Sequence, residues 1–327
     1  MAGSSSRERE RDHVTKIDVH HHFLPDFYRR ALIDNGHSRP DGIWGIPDWD
    51  EASALRMLDE AEITKAYLSI SSPGVHFGDA AAARVLARRV NEEAARLARA
   101  HPGRFGFFAS TPLPDIDGAL AEIAYAFDEL GADGVVLETN FDGLYLGNEQ
   151  LEPVHTELGR RNAVLFLHPT SPAALCTGHA PALPYPRPML EFLFDTTRTV
   201  TDMVLSGVLE RHPGLRVIVP HAGAVLPAVA SRVDVIGART VGKEHEQPLR
   251  NALRTLHFDL AGMPLPEMLP ALLNVADPAR LHYGSDWPFT PLPEVLTWAG
   301  RLEAATTALG EDGLAKALRT NTEALFS

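Results

Sequence analysis

The sequence predicts an α/β fold in which eight parallel strands close into one barrel, with helical segments between consecutive strands. Three observations indicate it. Eight short apolar runs recur along the chain, longer segments with apolar residues at i, i+3 and i+4 lie between them, and Gly or Pro ends several of those segments. With 327 residues, 45% of them hydrophobic, the chain is long enough to bury the core of such a domain.

The predicted strands are short and rich in apolar residues. In chain order they are residues 17–20, 66–70, 105–109, 134–137, 163–167, 216–219, 256–259 and 281–284. The clearest helical segments are 80–100, 116–130 and 191–211, each long enough to cross back over a sheet. Because eight strands are the number that a closed parallel barrel uses, we expect a (β/α)₈ barrel.

Outside this rhythm lie one tail and two loops. Residues 1–13 mix charges without apolar periodicity and are predicted to be a flexible tail, so residues 14–327 form one barrel domain. The segments 35–50 and 170–188 are rich in Pro and Gly and follow strand ends, where barrel enzymes place functional loops. We expect both to form walls of a pocket, with 170–188 acting as a lid or as an interface.

Charge and cysteine content restrict the partners and the location. The chain has 30 Lys and Arg against 43 Asp and Glu, a formal net charge of −13, which disfavours nucleic acid and anionic membrane surfaces. The single cysteine, Cys176, cannot form an internal disulfide. No apolar stretch is long enough for a membrane span or typical of a secretion signal, so a soluble, cytoplasmic protein is expected.

The strongest chemical signal is the run His20-His21-His22 on the first strand. Side chains alternate along a strand, so Asp18, His20 and His22 are predicted to share one face while Val19 and His21 point the other way. Two imidazoles on one face can reach a single ion at zinc-like distances. This embedded run therefore predicts a metal site, since affinity tags lie at flexible ends.

Three further residues follow other strands at the rim where barrel active sites form. His168 ends the fifth strand, His221 follows the sixth and Asp286 follows the eighth. None of the four lysines lies at the end of the fourth strand, where a carboxylated lysine would bridge two ions. One divalent ion is therefore predicted, with His20, His22, His168 and Asp286 as ligands, and His221 remains free as an acid, base or hydrogen-bond donor.

These motifs together resemble the amidohydrolase superfamily. The resemblance lies in the branch of aminocarboxymuconate-semialdehyde decarboxylase and the resorcylate- and salicylate-type decarboxylases. The matching segments are DVHHH (18–22), FLHP (166–169), PHAG (220–223) and GSDWPF (284–289). The segments DVHHHFLP (18–25), GIPDWD (45–50) and LHPTSP (167–172) are similar to 6-methylsalicylate decarboxylase-like proteins.

The resemblance implies a distorted (β/α)₈ (TIM) barrel, a catalytic Zn²⁺ or alternatively Mn²⁺, and a homodimer. It also implies a small hydroxylated aromatic carboxylate as substrate, which the enzyme decarboxylates without an oxidant. Asp286 is the expected proton donor to the ring carbon that bears the carboxylate, and His221 is expected to orient it. Aromatic side chains near the rim are candidates for holding the ring: Phe23, Phe289, Trp49 and Tyr185, with Phe23 and Phe289 closest in sequence to the ligands.

Two other readings stay open at this point. The same ligands suit a hydrolase, in which a metal-activated water attacks an ester, lactone or activated carbon–carbon bond, and a hydratase is a variant of that chemistry. The other possibility is a binding protein that zinc stabilises and that has no catalytic activity. The intact set of acid, base and ligand residues favours an enzyme.

Overall fold

Eight parallel strands form the centre of the fold. The computed structural model describes residues 15–173, 184–240, 242 and 246–327. The strands are β1 Lys16–His22, β2 Ile63–Ser69, β3 Phe105–Ala109, β4 Gly134–Glu138, β7 Val164–His168, β8 Arg216–Val219, β9 His257–Asp259 and β10 Leu281–His282. They are hydrogen-bonded in the order β1-β2-β3-β4-β7-β8-β9-β10. A parallel bridge between Asp18 and Tyr283 joins the last strand to the first, which closes the barrel.

Helices surround this barrel, and a two-stranded hairpin, β5 Asn140–Phe141 and β6 Leu144–Tyr145, follows β4. The helices are α1 Asp26–Asp34, α2 Glu51–Glu60, α3 Ala80–Ala100, α4 Ile116–Tyr125, α5 Glu152–Arg160, α6 Glu191–Leu205, α7 Val208–Arg211, α8 Leu226–Thr240, α9 Pro248–Leu253, α10 Met268–Leu273, α11 Leu292–Ala304, α12 Thr306–Ala315 and α13 Asn321–Leu325. Asp50, Asp79 and Asp115 cap α2, α3 and α4 by accepting backbone N–H hydrogen bonds, which explains where these helices begin.

The interior of the barrel is filled by side chains. Ile17, Val19, Phe166 and Ile218 belong to this inner cluster, and Phe326 near the chain end stacks on Tyr67 with ring centroids 4.1 Å apart. A larger apolar cluster packs between the strands and the surrounding helices. Because the barrel is a packed core, ligands bind at the mouth formed by the carboxyl ends of the strands.

The predicted fold class is confirmed, and all eight predicted strands are present. The segments 105–109 and 216–219 match the observed strands in both bounds, and 80–100 matches α3. The predicted helix 191–211 is two helices, because Gly207 adopts a left-handed conformation (φ +79°) between α6 and α7. The predicted helix 116–130 continues beyond α4 as a π turn at Ala126–Leu130.

Two predictions fall wholly or partly outside the described residues. The tail at 1–13 lies outside them, and so do residues 174–183 of the loop 170–188. In the described chain, no helix combines the length and the apolar composition that a membrane span requires. The segment 35–50 has little regular structure apart from a short 3₁₀ turn at Pro40–Gly42, as its Pro and Gly content indicates.

Candidate metal centre

A β-bulge in β1 sets the direction in which the side chains of this strand point. Asp18 pairs with Ala66 and His21 with Leu68, so three steps along β1 match only two along β2. The predicted strict alternation is therefore wrong for Asp18: its carboxylate lies beside His21, with Oδ2 3.1 Å from Nδ1 of that ring. Asp18 also accepts hydrogen bonds from the backbone N–H (3.0 Å) and hydroxyl (2.6 Å) of Ser285. It thus anchors the segment that carries Asp286.

The four predicted ligands converge at the mouth of the barrel. Nε2 of His20 lies 3.1 Å from Nε2 of His22, and each of these nitrogens lies 3.4 Å from Oδ1 of Asp286. His168, at the end of β7, has its ring centroid 4.8 Å from that of His22. The ligand atoms of His20, His22 and His168 all lie within 4.8 Å of one another. The structure therefore brings together the four residues that the sequence suggested as ligands.

The geometry of these residues fits a bound cation. Zinc with nitrogen and oxygen ligands at about 2.0–2.1 Å in a tetrahedron has ligand atoms about 3.3 Å apart. The separations of 3.1 and 3.4 Å among His20, His22 and Asp286 are close to that value. Three imidazoles and one carboxylate form a donor set that divalent zinc prefers. The residues present therefore suit one such ion.

Two of the three imidazoles have a hydrogen-bond partner on their other nitrogen, and the third, that of His168, faces a carboxylate there without a hydrogen bond. Nδ1 of His20 lies 2.8 Å from Asp259, Nδ1 of His22 lies 3.3 Å from the carbonyl of Ser69, and Nδ1 of His168 lies 3.4 Å from Glu138. Such partners orient a ring and leave Nε2 for the ion. The sequence had not indicated a role for Asp259 or Glu138. The signal for both is an acidic residue at the carboxyl end of a predicted strand.

Asp259 connects two parts of the site. One oxygen of its fully buried carboxylate faces His20, and the other accepts hydrogen bonds from the backbone N–H groups of His221 (2.8 Å) and Ala261 (3.0 Å). Although burial opposes a charged carboxylate, His20 outweighs it and lowers the pKa of Asp259. Asp259 therefore fixes the position of His20, a predicted ligand, relative to His221, the predicted acid–base residue.

His221 lies in a strained turn after β8. Four consecutive residues, 221–224, have positive φ, and three of them are not glycine. The ring of His221 lies 5.1 Å from that of His20, and its Nδ1 is buried without a hydrogen-bond partner. Burial, reinforced by the nearby His20, lowers the pKa of His221, so its imidazole is neutral near pH 7. A neutral imidazole here can accept a proton or ligate a cation.

Asp286 also has left-handed backbone geometry, with φ +57°. Its N–H donates to the carbonyl of His20 (2.8 Å), which fixes the loop against β1. Burial disfavours its charge, but hydrogen bonds to His20 and His22 hold the pKa of this carboxyl well below its usual range. Its side chain keeps 22% of its surface exposed, so Asp286 is an ionised group that faces the mouth.

The pKa values of the three predicted histidine ligands shift in different directions. Burial works against a charged His20, but Asp259 and Asp286 overcome it and raise the pKa of His20 to about 10. Burial lowers the pKa of His22 and lowers that of His168 strongly. A ligating imidazole must be neutral, so an ion at this position replaces the proton on His20.

The residues predicted to bind the substrate ring differ in burial and in their distance from the predicted ligands. Phe289 has its ring 5.5 Å from that of His22 and is partly exposed at the mouth. Phe23 is fully buried in the outer core and contacts Trp49, with ring centroids 6.0 Å apart, while Tyr185 is 55% exposed. Phe192 on α6, which the sequence reasoning missed, lies 6.2 Å from the ring of His168.

Comparison with known proteins identifies the family. The sequence model of the Amidohydrolase family matches residues 17–327. The chain is 39% identical to the 6-methylsalicylic acid decarboxylase acuB of Aspergillus aculeatus, over 95% of this chain and 96% of that protein. It is 38% identical to the 6-methylsalicylic acid decarboxylase of Penicillium expansum, over 89% and 90%.

Two solved structures share the fold. One described as amidohydrolase II superposes with a TM-score of 0.89 at 35% identity, covering 95% of this chain and 99% of that one. A dihydroxybenzoic acid decarboxylase from Polaromonas, solved with manganese and the inhibitor 2-nitroresorcinol, has a TM-score of 0.78 at 24% identity, covering 95% and 96%. From the match over nearly its whole length and from these relatives, the chain belongs to the amidohydrolase family.

Proposed function

We propose that this protein is a metal-dependent, non-oxidative decarboxylase of a small hydroxylated aromatic carboxylic acid of the 6-methylsalicylate type. One observation carries the proposal: His20, His22, His168 and Asp286 converge beside His221 and Phe289 at the barrel mouth. Two relatives that match nearly the whole chain are 6-methylsalicylic acid decarboxylases, which supports the same substrate class.

The donor set favours Zn²⁺ as the single ion, with Mn²⁺ as the alternative. Three imidazoles and one carboxylate match zinc in its usual sites, whereas manganese occurs in the Polaromonas relative. A bound ion would supply a positive centre that attracts the anionic substrate and stabilises negative charge. The ligand atom of His221 also lies within 4.8 Å of those of His20 and Asp286, but we assign His221 to the proton chemistry and not to the ligand set.

The residues around the centre supply the proton chemistry. Because Asp286 is ionised at rest, it first takes the proton of the substrate's phenolic hydroxyl. It then returns that proton to the ring carbon that bears the carboxylate. The bond between that carbon and the carboxylate breaks, and carbon dioxide leaves. The phenolate left behind takes a proton from solvent. His221, held by Asp259 in its strained turn, orients Asp286 and accepts hydrogen bonds from the substrate.

Aromatic side chains position the ring. Phe289 lies near the ring of His22 and Phe192 lies near that of His168, and we propose that these two side chains contact the flat substrate. Phe23 and Trp49, also suggested by the sequence, contact each other in the outer apolar cluster, so we assign them no direct contact with the substrate. A direct role for Tyr185 requires its loop to approach the mouth, because the side chain is 55% exposed.

We further propose that the enzyme is a cytoplasmic homodimer. The turn Pro40–Gly42 lies against the turn Arg187–Met189, and apolar side chains around both turns are unusually exposed: Trp44 by 86%, Met189 by 58% and Phe194 by 45%. A second copy of the chain would cover this surface. A sequence with one cysteine suits a reducing compartment.

The test is incubation of metal-loaded protein with a panel of hydroxybenzoates, with products identified by mass. Decarboxylation predicts trapped carbon dioxide and one solvent deuterium on the ring of the product. A hydrolase instead leaves the hydroxybenzoates unchanged and, when given aryl esters or lactones, incorporates solvent ¹⁸O into the product without releasing carbon dioxide. That second result would replace the decarboxylase with a hydrolase acting at the same site.

A further inference from the structure

The carboxylate of Asp195, on α6, accepts hydrogen bonds from several segments and is fully buried. One oxygen accepts from the hydroxyl of Thr139 and from Nδ2 of Asn140 (2.8 Å). The other accepts from the hydroxyl of Tyr145 (2.6 Å) and from Arg198 (3.1 Å). Three of these four donors come from residues 139–145, which follow β4, so the carboxylate fixes α6 against that part of the barrel mouth.

Thr139 connects this helix to the strand that carries a proposed ligand. It is fully buried, and its backbone N–H donates to the carbonyl of His168 (2.9 Å), at the end of β7. Its hydroxyl donates to Asp195 and accepts from the backbone N–H of Thr170 (3.1 Å). Thr139 therefore contacts a proposed ligand, the residue two positions after that ligand, and α6 at the same time.

The same helix carries Phe192, one of the two side chains proposed to contact the substrate ring. Phe192 precedes Asp195 by three residues, so the two side chains lie on the same face of α6. The ring of Phe192 lies 6.2 Å from that of His168, measured between centroids. The backbone of Thr139 holds His168, and its hydroxyl holds the helix that carries Phe192. The hydrogen bond between Thr139 and Asp195 therefore connects the two sides of this ring contact.

We propose that Thr139 and Asp195 are positioning residues for substrate binding, because their hydrogen bond sets the position of Phe192 relative to His168. The inference rests on the proposed function for the identity of the substrate. Both side chains are fully buried, so they act on a substrate through Phe192. Pairing of β7 with β4, in which Glu138 lies opposite His168, holds the ligand itself. Loss of the Thr139 hydroxyl should therefore leave metal affinity unchanged.

Steady-state kinetics of Thr139→Val with 6-methylsalicylate test the hydrogen bond, because valine removes the hydroxyl at nearly constant volume. A contact that holds the ring equally in the ground state and in the transition state changes KM and not kcat. We expect KM to rise about threefold to tenfold while kcat stays within about twofold of the wild-type value. A general loss of folded protein would instead lower the apparent kcat and leave KM unchanged. An unchanged KM in Thr139→Val would overturn the proposal.

Two further variants serve as controls. Thr139→Ser keeps the hydroxyl and should have nearly the wild-type KM. Thr196 is the next residue along α6 after Asp195 and is also fully buried, but its hydroxyl makes no hydrogen bond with any described residue. Thr196→Val therefore removes a buried hydroxyl from the same helix without removing a hydrogen bond, and KM should not change. A rise in KM in either control equal to that of Thr139→Val would count against the proposal.

A double-mutant cycle tests whether the pair acts through Phe192. Phe192→Ala removes the ring contact and should itself raise KM. If Thr139 acts through Phe192, Thr139→Val should raise KM little or no further in the Phe192→Ala background. Equal fold-changes in both backgrounds would show that the Thr139 hydroxyl acts independently of Phe192, and the inference would be wrong. If Thr139→Val does not fold, Tyr145→Phe, which removes another donor to Asp195, replaces it in the same cycle.

Calorimetry with 2-nitroresorcinol separates this inference from the proposed function. This flat hydroxylated ring has no carboxylate to lose, so its dissociation constant with the metal-loaded protein is measured without turnover. Weaker binding by Thr139→Val than by Thr196→Val, in a protein that decarboxylates no hydroxybenzoate, would support the positioning role and remove the decarboxylase. Decarboxylation with the same KM in the wild type and in Thr139→Val would do the reverse.

Discussion

Replacing Asp259 with Asn should weaken metal binding without removing a ligand. Two backbone N–H groups, those of His221 and Ala261, donate to Oδ1 of Asp259. They require an acceptor, so the amide oxygen of the variant Asn would take that position. The amide nitrogen would then face Nδ1 of His20, which lies 2.8 Å from the carboxylate in the wild type. A donor there forces Nδ1 to accept and places the proton on Nε2.

The magnitude follows from this change of tautomer. Protonated Nε2 cannot ligate a cation, so binding must first break the new hydrogen bond or flip the ring of His20. Substitutions of such outer partners typically cost about 10- to 100-fold in metal affinity. Because His20 and Asp259 are both fully buried, we expect the upper end, about 100-fold or about 2.7 kcal/mol.

Titration of chelator-treated protein with Zn²⁺, followed by calorimetry and elemental analysis, measures the effect. Asp195→Asn is the matched control: Asp195 is also fully buried and accepts hydrogen bonds from Asn140 (2.8 Å) and Tyr145 (2.6 Å). That control should lose stability but keep wild-type metal affinity. If Asp259→Asn binds Zn²⁺ as tightly as the wild type, the assigned role of Asp259 is wrong.

Three further predictions concern the proposed acid–base groups and the pH dependence of stability. Asp286→Asn should lower the rate of carbon dioxide release by at least about 100-fold with unchanged circular dichroism, because an amide cannot carry the transferred proton; full activity would refute its role. His221→Ala should keep one bound ion by elemental analysis but lower kcat by about 100-fold, and loss of the ion would make His221 a ligand instead. Burial lowers the pKa of His257 to about 4 and that of His282 to about 3, against an ordinary 6.5. The unfolded chain therefore binds protons first as pH falls, so the free energy of unfolding should decrease from about pH 6.5 to pH 4. At pH 5 the loss is about 2 kcal/mol for each histidine. Denaturant titrations at pH 8 and pH 5 check this, and an equal decrease in His282→Gln would contradict it.

The positions of most proposed ligands and of the proposed acid–base residue were predictable because these residues lie at or just after strand ends. His168 ends β7, and His221 and Asp286 follow β8 and β10, as the apolar runs before them indicate. In a closed parallel barrel all carboxyl ends meet at one mouth, so strand prediction alone brings these side chains together. The same rule would have included Asp259 at the end of β9 and Glu138 at the end of β4.

The residue pattern along one strand did not predict side-chain direction where the pairing between neighbouring strands determines it. The alternation rule placed Asp18 with His20 and His22, but the bulge against β2 turns Asp18 toward His21 and Ser285. An extra residue in a strand is visible only in its register with the neighbouring strand. The aromatic residues show the same limit: Phe23 is near the ligands in sequence, yet it is fully buried in the outer core.

By itself, the sequence determined the barrel, the rim and the identity of the proposed ligands, because periodicity, strand ends and residue type are local properties. Only the tertiary structure decided what surrounds them. The partner of His20 is 239 residues away in the chain, and loops that follow four different strands enclose a cavity of about 300 Å³ at the barrel mouth. Hydrogen bonds and enclosed space depend on distances between remote segments, which are set only when the barrel closes.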